Sequence, residues 1–177
     1  MAYLNSYSGV DNFWVSNPQT LIHPVLKSLH DKDKSKRKEE SSKIMYALCF
    51  YLDVSESNKV YGHVPPDDRK VLIARQFLKD EDFKWDKYLE ETETLKTLML
   101  TPAQISLFNF YNKLKQRDDF IRNTDYKIEN SKELDSMMVN TKRIWDQYFV
   151  IMKEVSKEAS TVQKGGKNLS LSDKGAI

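Results

Sequence analysis

Apolar residues recur along this chain at three- and four-residue intervals, and the pattern predicts helices from about residue 21 onward. Pro24 suits the first turn of a short helix running through Leu29 or His30. A second helix is expected to begin near Asp33 or Ser35, either of which can cap it. Its stripe is Ile44, Leu48, Tyr51 and Leu52, widened by Met45, Cys49 and Phe50. The first turns are charged and the far end is apolar nearly all round, so this helix should run from solvent into a core. "DVSESNKVYGHVPP" then reads as a loop of polar residues, Gly62 and a Pro pair. Asp67 or Asp68 caps the next helix, "RKVLIARQFLKD", with Val71, Leu72, Arg75 and Leu78 on related turns. "DFKWDKYLEETETLKTLML" should bury Phe83, Leu89, Leu95 and Leu98. Thr101-Pro102 starts a long amphipathic helix carrying Ile105, Phe108, Tyr111, Leu114 and Ile121. Ser131 opens the last, striped by Leu134, Met138, Trp145, Phe149, Met152 and Val155.

Alternation with period two appears only in "NLSLS", so the expected fold is all-α. It is read as a compact bundle of five or six helices over residues 21–158, between an extended N-terminal arm, 1–20, and a flexible C-terminal tail, 159–177. The arm holds one charged residue, Asp11, and its Phe13 and Trp14 are candidate anchors on a partner. In the tail, Leu169 and Leu171 fall on one side of an extended segment, a pattern that suits a partner's sheet edge or groove. No repeat of fixed period is visible, which disfavours a solenoid.

The 177 residues suffice for one domain with a buried core. Gly and Pro number five each, which argues against a many-turned β-sandwich and against Gly-rich phosphate loops. Net charge is +2 from 28 basic and 26 acidic side chains, less basic than a protein held on DNA by phosphate neutralisation usually is. The densest basic stretch is "KDKSKRKEESSK", residues 32–43, interrupted by Asp33, Glu39 and Glu40. A solvated face is the plainer reading, with Lys34, Lys36, Arg37 and Lys38 as candidates for an acidic partner or DNA. No apolar run approaches the roughly 20 residues that span a bilayer. "MAYLNSYSGVDNFWVSNPQ" lacks the basic and apolar regions of a signal peptide, so a soluble protein with no membrane partner is expected.

Candidate chemistry is thin. None of His23, His30 and His63 has a His or Cys at helical metal spacing. His30, Asp31 and Asp33 read as a solvated helix terminus rather than a cation site, and Cys49 as a small core hydrophobe. "EETE" and "DED" are paired carboxylates without a partnering His or Arg pattern. Neither a P-loop, GxSxG, HExxH nor Rossmann fingerprint occurs. The expectation is no enzyme: no catalytic residue, no metal ligand and no cofactor. Nine Tyr, eight Phe and three Trp exceed what such a core needs, so some aromatics should serve protein contacts at the surface.

The segment "HPVLKSLHDKDKSKRKEESSKIMYALCFYLDVSESNKVYGHVPPDDRKVLIARQFL" has a basic, Asp-containing helix start, an aromatic-rich helix ending at Asp53, a Ser-containing loop and a helix opening at "PDDRK". In that layout it resembles a small virion protein encoded among the structural genes of crAss-like and other large tailed bacteriophages. The resemblance covers residues 21–79 and brings no catalytic residues. It implies a ring or adaptor protein at the portal or head–tail connector, made in the bacterial host cytoplasm and built into the virion. Its partners would be copies of itself in a ring and other virion proteins: the portal, neighbouring ring or capsid proteins. An auxiliary capsid protein is the near alternative. A DNA-packaging protein such as a small terminase subunit is a different class, resting on residues 32–43 alone. A helical regulator of one host protein is a third.

Overall fold

The structure, a computed structural model, describes residues 12–55 and 58–165, with side chains through Lys157. Among the described residues the chain is all-α, without a strand, and its helices divide into two compact units rather than one bundle. The first holds α1 (Phe13–Ser16), α2 (Pro24–Lys32), α3 (Glu39–Leu52), α4 (Pro66–Ile73) and α5 (Leu89–Met99). The second holds α6 (Pro102–Asn123) and α7 (Ser131–Gly165). Asn12 to Thr20, expected in an extended arm, instead form a helical turn and a 3-10 turn of the first unit. The last helix continues to Gly165, into the segment assigned to the tail.

In the first unit α3 is the hub, packed against α1, α2, α4 and α5. Its apolar run does what the sequence predicts: Met45, Ala47, Leu48, Cys49 and Leu52 are all 0% exposed. Each large side chain so buried contributes about 1.5–3 kcal/mol. Burial, helped by the charge of Asp53, pushes the Cys49 thiol far above its usual value, so it stays protonated and inert.

A helix that ends inside a protein leaves its last four carbonyls without intrahelical donors. Here the loop after α3 supplies them. The Asp53 amide donates to the Cys49 carbonyl at 2.9 Å, and Asn58 Nδ2 to the Phe50 carbonyl at 3.0 Å. Arg69 Nη1, from the first turns of α4, donates to the Tyr51 carbonyl at 2.7 Å. The same guanidinium reaches the loop itself: Nη2 donates to the Gly62 and Val64 carbonyls at 3.0 and 2.7 Å, and Nε to Val64 at 3.1 Å. Arg69 is completely buried. Asn58 Nδ2 also donates to the Asp53 carbonyl, and its Oδ1 accepts from the Tyr61 amide. The polar loop is therefore tied down by two side chains that together serve five of its and the helix's carbonyls.

In the first unit the described aromatics turn inward, whereas Phe120, Tyr126 and Phe149 of the second unit are exposed, as expected of part of the surplus. Edge-to-face contacts link Trp14 to Phe13 and Phe13 to Tyr46, both at 5.3 Å; Tyr46 then stacks on Phe50, which meets Phe77 at 5.0 Å. The Tyr46 hydroxyl, buried with its ring, finds no hydrogen-bond partner among the described residues. Beyond α4 the chain widens into a π-turn, Ala74–Leu78, closed by Lys79 in the left-handed region at φ 60. Of the expected row Leu78 is buried, with Ile73 and Ala74 beside it, while Val71 is 57% exposed. Leu89 is also exposed, because a 3-10 turn over Trp85–Tyr88 precedes α5 and places Leu89 at its rim.

The second unit is a helical hairpin. Arg117 Nε donates to Thr141 Oγ1 at 2.8 Å, Trp145 Nε1 donates to Asp118 at 2.9 Å, and Tyr111 meets both Trp145 and Tyr148 at 5.7 Å. Partner numbers rise on one helix as they fall on the other, so the pair is antiparallel. The buried seam of α7 is Leu134, Thr141, Tyr148 and Val155, a seven-residue repeat, with Met152 beside it. Met138 and Phe149, expected in that stripe, are 54% and 44% exposed.

Replacing Arg69 by Met removes the donors to three carbonyls, one buried and two partly so, while keeping apolar volume. A loss of about 3 kcal/mol or more in unfolding free energy is expected by denaturant titration; an unchanged midpoint would show that the loop does not depend on the guanidinium. Tyr46→Phe should instead be neutral or stabilising by up to about 1 kcal/mol, since it removes a buried hydroxyl that bonds nothing.

Candidate functional site

The basic stretch 32–43 is the segment with the most exposed positive charge, and only its residues 39–43 fold as the start of α3, later than expected. Lys36–Lys38 form a single 3-10 turn in which Arg37 and Lys38 both take left-handed backbone angles, φ 58 and 60, and α3 begins only at Glu39. Two consecutive non-glycine residues there cost on the order of 1–2 kcal/mol each, so the surroundings must hold them. They do. Asp33 Oδ1 accepts from the Ser35 amide and Oδ2 from the Ser41 amide, both at 2.7 Å. Ser35 Oγ accepts from the Glu40 amide at 3.1 Å, and Asn12 Nδ2 donates to the Arg37 carbonyl at 2.6 Å. The two residues expected to cap the helix do serve its first amides, but they reach them from a preceding loop. Partial burial raises the Asp33 carboxyl, yet the hydrogen bonds from Ser35 and Ser41 outweigh it and hold the group far below the usual carboxylate range.

This folding divides the basic candidates. The Lys38 ammonium is bound to the Asp33 carbonyl at 2.6 Å, and that of Lys43 to the Leu78 carbonyl at 2.7 Å. Lys34, ahead of the turn, and Lys36 and Arg37 on it stay exposed and form the positive surface.

The aromatic candidates are corrected. Phe13 and Trp14 are 0% and 4% exposed, and the apolar surface they anchor on is the chain's own. The Phe13 amide donates to Ser42 Oγ at 2.8 Å and the Trp14 indole to Ser41 Oγ at 3.0 Å, which clamps α1 on the start of α3. The signal for this was present: Asn12 caps the turn by accepting from the Trp14 and Val15 amides. Leu169 and Leu171 lie outside the described residues.

The groups weighed for chemistry are engaged elsewhere. His30 Nδ1 meets Asp31 at 2.9 Å, and that hydrogen bond holds the Asp31 carboxyl below its usual value. Both Asp33 oxygens face amides, as above. Among the described residues there is no cluster of three His, Cys, Asp or Glu able to hold a metal, and no helix long and apolar enough to cross a membrane. A groove of about 350 Å³ opens between α4 and the 80s loop, lined by Asp67, Lys70, Arg75, Glu81, Phe83 and Trp85 among others. Its cations already have neighbours: the Lys70 ammonium lies over the Tyr51 and Trp85 rings at 5.1 and 5.9 Å, and Arg75 Nε bonds Glu81 at 3.0 Å.

Asp33→Asn should keep the turn's shape but weaken its hold on the α3 amides, lowering stability at neutral pH by about 1 kcal/mol. The carboxyl's folded value is depressed, so its contribution is present above the unfolded value, about 3.9, and fades as pH falls below that. Denaturation from pH 7 to 2 should therefore show the gap between the two proteins closing below about pH 4; a constant gap would mean that Asp33 acts by packing.

Compared with known proteins, the chain matches no family model, no curated relative and no solved structure.

Proposed function

We propose that this chain is a structural component of a tailed-phage virion, a ring or adaptor protein at the portal or head–tail connector. The observation that carries the reading is the apolar surface left on the long helices of the second unit. Phe120, Met138, Val139, Phe149 and Val150 are all between 44% and 74% exposed. Exposed large apolar groups in this number suit a protein that works in contact with others. Helices of 22 and 35 residues make rods of roughly 33 and 52 Å, the size of strut that spans neighbouring subunits. The resemblance over residues 21–79 points to the same class. In this reading the first unit is a rigid wedge, and the chain's two ends, including Leu169 and Leu171, contact adjacent subunits or other virion proteins.

The alternative with an observation of its own is DNA packaging, favoured by Lys34, Lys36 and Arg37, all exposed in the connection between α2 and α3. The small number of free cations weighs against it, since each phosphate contact contributes about one unit of salt slope.

Quantitative mass spectrometry of purified particles of the encoding phage is expected to find the chain at a fixed, multiple copy number. Finding it only in the infected-cell lysate would overturn the virion reading. Lys34, Lys36 and Arg37 changed together to Gln should leave helical content by circular dichroism and particle incorporation unchanged. If incorporation fails while binding of the wild type to duplex DNA falls steeply with salt, the packaging role takes its place.

A further inference from the structure

On α7, away from the seam buried against α6, six exposed residues follow one another at spacings of 4, 3, 4, 3 and 4: Asp135, Val139, Lys142, Asp146, Phe149 and Lys153. That spacing is the one by which a helix presents a second straight seam to another helix. The series has a further property. Residues equidistant from Ile144 are complementary: Asp135 with Lys153, Val139 with Phe149, Lys142 with Asp146. Laid against a copy of itself running the opposite way, the row places acid on base and apolar on apolar in every layer.

We propose that α7 is a self-pairing helix: two copies of this chain associate through this face, antiparallel, about a twofold axis at Ile144. Such an interface is isologous, so each contact occurs twice. The central layers are Lys142 against Asp146 of the other copy, the next Val139 against Phe149, and the outer Asp135 against Lys153. Val139 is 74% exposed and Phe149 44%, so pairing removes real apolar surface from water. Asp135 also accepts from the Tyr126 hydroxyl, at 3.2 Å to Oδ2. Met138 and Val150, 54% and 58% exposed, flank the row and extend the covered area. A parallel arrangement would set like charge on like charge in every polar layer, so the charge order selects the antiparallel one. A partner of unrelated sequence would not require the row to be its own complement. With most layers ionic and open at the rim, the pair should be weak and should loosen as salt rises. The contact uses α7 alone and does not rest on the virion reading.

The test is sedimentation equilibrium of the full chain over a concentration series, with circular dichroism to confirm that each variant is folded. Asp135 and Lys153 stand about 27 Å apart on one helix and cannot meet within a chain. The wild type is expected to show a monomer–dimer equilibrium. Asp135→Lys and Lys153→Asp should each weaken it by about tenfold. The double variant should restore wild-type association, and so should an equimolar mixture of the two single variants. A chain that stays monomeric throughout, or one whose association ignores both reversals, overturns the proposal. So does a double variant no better than the singles.

Discussion

Burying the end of a helix is a problem of carbonyls before it is one of packing. The last turn of α3 is apolar on nearly every side, and Cys49 and Leu52 are wholly enclosed, so water cannot serve the carbonyls there. The chain meets this by folding the following loop back over the helix end and burying one guanidinium in it. Arg69 suits the task because its donors lie in one plane and diverge, so a single side chain reaches Tyr51, Gly62 and Val64 at once. A lysine in its place would offer a point charge with less reach. Because Arg69 belongs to α4, the same contacts fix where α4 starts and which of its faces turns inward. Arg69 thus links α3, the loop and α4, with Asn58 holding the same loop from its other side.

The opposite end of α3 is handled by different means. Its first amides are served by Asp33 and Ser35 from the connection to α2, within which Arg37 and Lys38 adopt left-handed angles. The cost of that turn is offset by a closed set of contacts: Asp33 on two amides, Lys38 on the Asp33 carbonyl, and Asn12 on the Arg37 carbonyl. The α1 segment locks the arrangement through Ser41 and Ser42. Positive charge at residues 34–37 is thus presented on a rigid turn, where an unstructured basic loop would have to be ordered on binding.

How legible this was varies with the kind of signal. Periodicity located α3, α6 and α7, and the burial of Cys49 follows from its neighbours. Thr101-Pro102 marked the start of α6 correctly. What the pattern could not show is structure that depends on donors and acceptors distant in sequence. Arg69 reads as one more charged residue near a helix start, and only the count of unserved carbonyls at α3 gives it a purpose. The π-turn at Ala74–Leu78 has no breaker residue to announce it, and within α4 the inward side is that of Ile73, nearly opposite Val71. Phe13 and Trp14 looked unpatterned because their helix is a single turn, too short for any period to appear.

The misreading of α7 has the most informative cause. Leu134, Met138, Trp145, Phe149 and Met152 do form a continuous apolar band, and taking it for one seam was reasonable. One antiparallel neighbour, however, covers a strip of only about 100° of a helix. The band on α7 is wider, and the hairpin divides it: Tyr148 and Val155 go under α6, whereas Met138 and Phe149 stay outside. A stripe too broad for its one resolved neighbour carries a statement about a second neighbour. The charges bordering the outer strip narrow that statement, because their order along the helix is complementary to its own reverse. The inner seam is fixed within the chain by Arg117 and Asp118, and so it is complete without help from outside. In the self-pairing proposed for α7 the outer one is completed by a second copy, and the helix that closes the hairpin is then also the element through which it joins a larger assembly.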